Sequence, residues 1–268
     1  MKKVNLFLLV LAIFMASCGT TRTVPVTGRK QNLVVSDEQM LSLSTQQYNE
    51  YMKKAKKSTN TANTAMVQRV GKKLATAVET YLKQNGLANE LSGYKWEFNL
   101  VKDNSVNAFC MPGGKIVVYE GLLPVTKNET ALAIVLGHEI AHAVAKHSAE
   151  QLSKQYKQQV GMQIGSAVLS AAGMGANTSS LLEWATSQGL QLRNLKYSRD
   201  HENEADHMGL IFAAMAGYNP NEAVTFWQRM AAASGGSSSD FLSDHPSDAK
   251  RVENIKGWLP EALKYYKK

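Results

Sequence analysis

His138, Glu139 and His142 stand in the order H-E-x-x-H, and some sixty residues later Glu202 and Asp206 stand four apart. On a helix, positions four apart share a face with Cβ atoms roughly 5–6 Å apart, so His138 and His142 can turn a ring nitrogen each to one metal ion. Glu139 lies beside such a metal without being needed as a ligand. It is free to take a proton from a metal-activated water, the chemistry of zinc hydrolases. Glu202 offers a carboxylate as third ligand, and Asp206 a carboxylate to receive the other ring N–H of a ligand histidine. Glu204 points to a different face and is the competing candidate for the ligand. Three protein ligands with a fourth position open is the catalytic zinc arrangement, which makes the expected cofactor one zinc ion per chain.

Those residues need two helices. The stretch from Thr126 to Glu150 reads as one helix, opened by Thr126-x-x-Glu129 as a capping box, in which each side chain satisfies an orphan backbone donor. Leu132, Ile134, Val135, Leu136, Ile140, Ala141, Val144 and Ala145 surround the histidines, so the helix is buried and its histidines need polar partners. Ser198 to Asp206 opens the second helical pattern, which Gly217 ends. His147, His201 and His207 show no partner in the sequence and read as structural or surface residues.

In its order of motifs the chain resembles the zinc metallopeptidase family that includes the HtpX proteases, the type I CAAX prenyl proteases and small periplasmic proteases of Gram-negative bacteria. Its H-E-x-x-H and E-x-x-x-D stand here as HEIAH and ENEAD, accompanied by Asn107-Ala108-Phe109, Pro112-Gly113-Gly114, Glu120-Gly121-Leu122-Leu123, Tyr197-Ser198-Arg199, and His245-Pro246 followed by Arg251. The resemblance spans about Ser36 to Trp258. It implies peptide hydrolysis, Glu202 as third ligand, Asp206 as supporting acid, and a sheet edge at Asn107, Ala108 and Phe109 that pairs with an extended substrate, a simple core strand being the alternative there. His245 then has two readings beyond a capping or surface role: an oxyanion donor, or a fourth zinc ligand that holds the enzyme latent.

The remaining elements follow from periodicity. Ser36-x-x-Gln39 caps a helix reaching Lys57, and a second helix runs from Ala65 to Gln84. Tyr94 to Leu100 alternates as a strand, and Val106–Met111 and Lys115–Tyr119 form two more around the Pro-Gly-Gly turn. Gly161 to Gly175 falls short of the roughly twenty apolar residues of a membrane span and reads as a packed helical hairpin, followed by a helix near Ser179 to Leu192. Asn219-Pro220 starts a helix to Ala233, Ser234 to Ser239 is a Gly/Ser loop, and a last helix ends at Trp258. The expected fold class is α+β and mainly helical: one zincin-like metallopeptidase domain over residues 36–268, with a small mixed or antiparallel sheet.

Residues 1–17, with Lys2 and Lys3 before an apolar core too short to span a bilayer, read as a secretory signal. Met15-Ala16-Ser17-Cys18-Gly19 resembles a lipoprotein cleavage box, which makes it a lipoprotein signal peptide, with a plain signal peptide or an uncleaved anchor as the alternative. Cys18 is then the lipid-modified first residue of the mature chain, residues 18–35 a tether, and the periplasmic face of the outer membrane the expected location. Only Cys110 is left, which excludes an intramolecular disulfide. The 268-residue chain has a net charge of +8 without basic runs interleaved with aromatics, so nucleic acid is not an expected partner. Expected partners are unfolded or misassembled envelope proteins and, through the lipid, a membrane. A lipid-anchored chaperone or binding factor with a latent metal site is the alternative function, and the oligomeric state is left open.

Overall fold

The computed structural model describes residues 20–167, 179–233, 245 and 249–267. Its first element is an antiparallel hairpin of β1 (Thr20–Thr23) and β2 (Lys30–Leu33), where the sequence implies an extended tether. The hairpin is fastened to the body: buried Gln31 donates to the Ala145 carbonyl at 2.7 Å, and the Val34 N–H donates to Ser153 Oγ at 3.0 Å. The expected signal peptide and Cys18 lie outside the described residues.

Helix α1 (Asp37–Lys54) begins at the expected capping box, with Ser36 Oγ accepting from the Gln39 N–H and Gln39 Oε1 accepting from the Ser36 N–H. Helix α2 (Thr61–Gln84) starts earlier than its apolar spacing implies, because Asn60 caps it by accepting the Asn63 N–H at 3.0 Å. Strands β3 (Glu97–Val101), β4 (Ala108–Met111) and β5 (Lys115–Tyr119) form a mixed sheet in the order β3-β5-β4, with β3 parallel and β4 antiparallel to β5. The turn between β4 and β5 uses Gly113 and Gly114 at φ +84° and +80°, a region that favours glycine. Alternate residues face opposite sides: Phe98, Leu100, Ala108, Ile116 and Val118 join the main core, while Phe109, Met111, Val117 and Tyr119 pack against Tyr48 and Tyr51 of α1.

After a single turn, α3 (Leu123–Thr126), comes α4 (Glu129–Val144), buried throughout from Ala131. The expected continuous helix from Thr126 to Glu150 is in fact three pieces. Thr126 belongs to α3, Lys127 turns left-handed at φ +65°, and Asn128 caps α4 by accepting the Ala131 N–H at 2.8 Å. At the other end Lys146 turns left-handed at φ +55°, and α5 (His147–Ala167) starts afresh. The second half of the expected 161–175 hairpin lies outside the described residues, as does the Gly/Ser loop. Helix α6 (Ser179–Ser187) stops before a 3-10 turn at Leu192–Asn194.

Helix α7 (Arg199–Met215), capped by Ser198, crosses α4 with the two backbones in contact at Gly137 and Gly209. Helix α8 (Glu222–Ala233) starts two residues after Pro220, since Asn219 Oδ1 accepts the Asn221 N–H within a turn instead of capping the helix. Helix α9 (Ala249–Ala262) runs past Trp258 and packs on α7 and α8. The fold is mainly helical with a small sheet, and the crossing of α4 and α7 is its centre.

Candidate active site

At that crossing, α4 presents His138, Glu139 and His142, and α7 presents Glu202 and Asp206, every one of them buried. His245 reaches the same point from the segment before α9. Single donor atoms of His138, His142, Glu202 and His245 all lie within 4.8 Å of one another. The Nε2 atoms of His138 and His142 are 3.1 Å apart, His245 Nδ1 is 3.1 Å from His138 Nε2, and Glu202 oxygens stand 3.4 Å from His138 Nε2, 3.3 Å from His142 Nε2 and 3.0 Å from His245 Nδ1.

These spacings fit a metal. A tetrahedral zinc with bonds of about 2.0–2.1 Å places its ligand atoms about 3.3 Å apart. Ring nitrogens directed at one point repel unless a proton or a metal ion sits between them. Burial opposes charge on His138, yet Asp206 and Glu202 lift it to about 9, so the buried carboxylates favour positive charge at this point. Burial alone would raise Glu202, but His245 and His142 hold it well below the usual carboxylate range, as a ligand requires. For His142, burial dominates and keeps the ring neutral.

The second carboxylate of α7 faces the His138 ring. Asp206 Oδ1 is 2.8 Å from His138 Nδ1, which leaves Nε2 of that ring for the metal. Asp206 is in turn gripped by Arg251, from Nε to Oδ2 at 2.7 Å and from Nη2 to Oδ1 at 2.8 Å. Arg251 lies over the Trp227 ring at 3.3 Å and donates from Nη1 to the His245 carbonyl at 3.2 Å, so one guanidinium fixes Asp206 and the backbone of His245 together.

Glu139 Oε1 is buried with no hydrogen-bond partner among the described residues, 3.5 Å from His245 Nε2. An orphaned buried carboxylate oxygen costs roughly 1–3 kcal/mol or more, and a water at the metal position would relieve it. Burial also raises the proton affinity of Glu139, which suits a base working near neutral pH.

Several residues differ from the sequence reading. His147, taken as structural or surface, is fully buried with Nδ1 2.8 Å from His142 Nδ1 and Nε2 2.9 Å from Glu204 Oε2, and burial lowers it to about 4. Glu204 is therefore not a competing ligand: it faces His147, Thr27 and Arg29. His201 stacks on His147 and lies 3.3 Å from Glu150, whereas His207 pairs with Glu261 at 2.7 Å and stacks on Trp258, away from the cluster. Tyr197 stacks on His142 at 4.2 Å. Ala108 and Phe109 stand on the edge strand β4 with buried side chains, and Asn107 Oδ1 accepts the Ala108 N–H. Cys110 is a buried free thiol that burial keeps protonated, so it is no nucleophile.

A family model described as peptidase family M48 matches residues 61–259. The chain belongs to peptidase family M48. The M48 match takes in all of His138, Glu139, His142, Glu202, Asp206, His245 and Arg251, while the β1–β2 hairpin lies before it. Over 187 residues the chain is 36% identical to mitochondrial metalloendopeptidase OMA1 of Schizosaccharomyces pombe, covering 69% of this chain and 53% of that protein. Over 245 residues it is 31% identical to human mitochondrial metalloendopeptidase OMA1, covering 90% of this chain and 46% of that one. Metalloprotease LoiP of Escherichia coli is 29% identical over 190 residues, covering 68% of this chain and 72% of LoiP. The chain thus spans about half the length of the OMA1 relatives it matches.

Proposed function

We propose that this chain is a zinc-dependent endopeptidase with Glu139 as general base, and that His138, His142 and Glu202 hold the zinc. The observation that carries the proposal is the buried oxygen of Glu139, without a hydrogen bond among the described residues, beside a convergent donor set that includes two histidines and a glutamate of the two helices. Zinc bound there would supply Lewis acidity that makes water nucleophilic at neutral pH. Glu139 takes the proton of the attacking water and returns it to the leaving amine. Asp206 and Arg251 keep the His138 ring oriented throughout. A cavity of about 380 Å³ beside His142, lined by Leu41, Tyr94, Pro112, Gly113 and Ser148, is the proposed pocket for a substrate side chain. The backbone at Asn107, Ala108 and Phe109 is the proposed edge for an extended substrate.

His245 supports a second, resting arrangement. With its Nδ1 in the donor set it would serve as a fourth protein ligand and close the site to water while bound. A lipid-anchored chaperone or binding factor with a latent metal site is the corresponding non-enzymatic reading. The proposed substrates are unfolded or misassembled envelope proteins, with the chain tethered through Cys18 at the periplasmic face of the outer membrane. No helix among the described residues is long and apolar enough to cross a membrane.

The test is a casein-type assay on wild type and Glu139→Gln, with and without chelator. Cleavage by wild type alone, lost to chelator, is expected, with zinc content equal in both proteins. Cleavage by the variant would remove Glu139 from the mechanism. In cells, deletion should raise the level of misassembled outer-membrane proteins, and unchanged levels under envelope stress would refute the assigned substrates.

A further inference from the structure

The metal cluster is supported by two arms of contacts, and the second ends outside the segment matched by the family model. One arm is His138–Asp206–Arg251. The other runs from His142 through His147 to Glu204, and from there to Arg29 and Thr27 in the turn of the N-terminal hairpin.

The second arm exists because the chain breaks after α4. On an unbroken helix the residue five beyond His142 would lie about 140° around the axis. Instead Lys146 turns left-handed, its ammonium held by Asp37 and Glu90 at 2.7 Å each, and His147 swings back until its Nδ1 is 2.8 Å from His142 Nδ1.

The chain of contacts admits one proton arrangement. Glu204 can only accept, so His147 Nε2 carries a hydrogen toward it at 2.9 Å. With its one hydrogen on Nε2, an uncharged His147 ring presents Nδ1 as an acceptor. His142 must then carry its hydrogen on Nδ1, which leaves the lone pair of Nε2 pointing into the donor set. Glu204 is itself fixed from the hairpin: Arg29 donates to Oε2 from Nε at 3.0 Å and from Nη2 at 2.8 Å, Thr27 donates to Oε1, and Arg29 also forks onto Glu150 at 2.7 Å twice.

We propose that His147, Glu204 and Arg29 are positioning residues that fix the tautomer and orientation of His142, so that the affinity of the metal centre depends on the N-terminal hairpin. This rests on the metal-centre reading above. None of the three touches the reacting atoms; each acts through the residue before it.

The test measures Zn²⁺ affinity of the full chain by chelator competition, with the visible absorption of the Co²⁺-loaded protein as a probe of ligand geometry. His147→Leu should weaken Zn²⁺ binding about 10-fold or more and shift the cobalt bands, the usual scale for losing a partner of a ligand histidine. His147→Gln, which can accept from His142 and donate to Glu204, should restore most of both. Arg29→Met should weaken binding in the same direction by a smaller factor. Lys115→Met, which removes the ion pair of buried Lys115 with half-exposed Glu97 in the sheet, serves as the stability control: a lower Tm, with affinity and spectrum unchanged. If His147→Leu lowers Tm with affinity within about twofold of wild type, the relay is merely structural and the proposal is overturned. If His147→Leu weakens binding while Arg29→Met does not, the dependence on the hairpin is overturned. Should His147→Leu not fold, the Gln and Met variants carry the same comparison. Failure of wild type to take up either metal would refute the metal-centre reading itself.

Discussion

Gly137 and Gly209 hold α4 and α7 at backbone contact: a Cβ on Gly137 would stand 2.8 Å from the Gly209 carbonyl oxygen, and one on Gly209 2.7 Å from the His138 nitrogen. Both glycines sit inside helices, where alanine would ordinarily gain about 1 kcal/mol. Here the obstacle is rigid backbone, and overpacking costs about 1–3 kcal/mol. Gly137→Ala should therefore lower Tm and reduce zinc content, because separating the helices draws Glu202 away from the histidines. A raised Tm with full zinc would mean the close approach is not required.

Asp206→Asn should leave His138 with a weaker acceptor and cost about 10–100-fold in zinc affinity. Arg251→Lys should fall in the same direction, since a lysine cannot supply the paired 2.7 and 2.8 Å bonds to Asp206. Isothermal titration with Zn²⁺ checks both; affinities equal to wild type would show that the Asp206 contact is incidental.

His245→Ala should raise kcat at unchanged zinc content, because the displaced ring frees a coordination position. A large fall in kcat at full zinc would instead assign His245 to the oxyanion and contradict the resting role.

Glu150 gives a pH signature. Burial would raise its pKa, but the Arg29 fork and His201 bring it down to about 2. A carboxyl depressed on folding contributes stability that is fully present above its unfolded value, about 4.3, and is lost as pH falls toward 2. With solvent screening allowed for, the contribution is about 1 kcal/mol. Urea midpoints of the chelator-treated chain should fall over pH 4.5 to 2, and Arg29→Ala should flatten that fall. An equally steep fall in Arg29→Ala would remove the fork as its cause.

How far the site was legible follows from the distances along the chain. His138 with His142, and Glu202 with Asp206, each declare themselves by a four-residue spacing on one helix, and Ser36-Gln39 announces a cap that the structure forms. Arg251 closes on Asp206 from 45 residues away with no periodicity to mark it, and only resemblance pointed to it. The partners of His147 are invisible in the sequence because they depend on left-handed Lys146, a backbone state that lysine does not advertise. The Thr126-Glu129 pattern satisfied the capping rule, yet Asn128, equally suited to the extended cap geometry, took the position. The hairpin escaped notice because its strands have four residues each and only Gln31 and Leu33 are buried along them.

The central claim, that α4 and α7 jointly grip one zinc ion, is tested most directly by zinc stoichiometry and X-ray absorption on the purified full chain. The expected result is one zinc per chain, with two or three imidazole nitrogens and a carboxylate oxygen at about 2.0–2.2 Å. A chain that purifies folded but binds no zinc, or whose zinc shows no imidazole scattering, would contradict it.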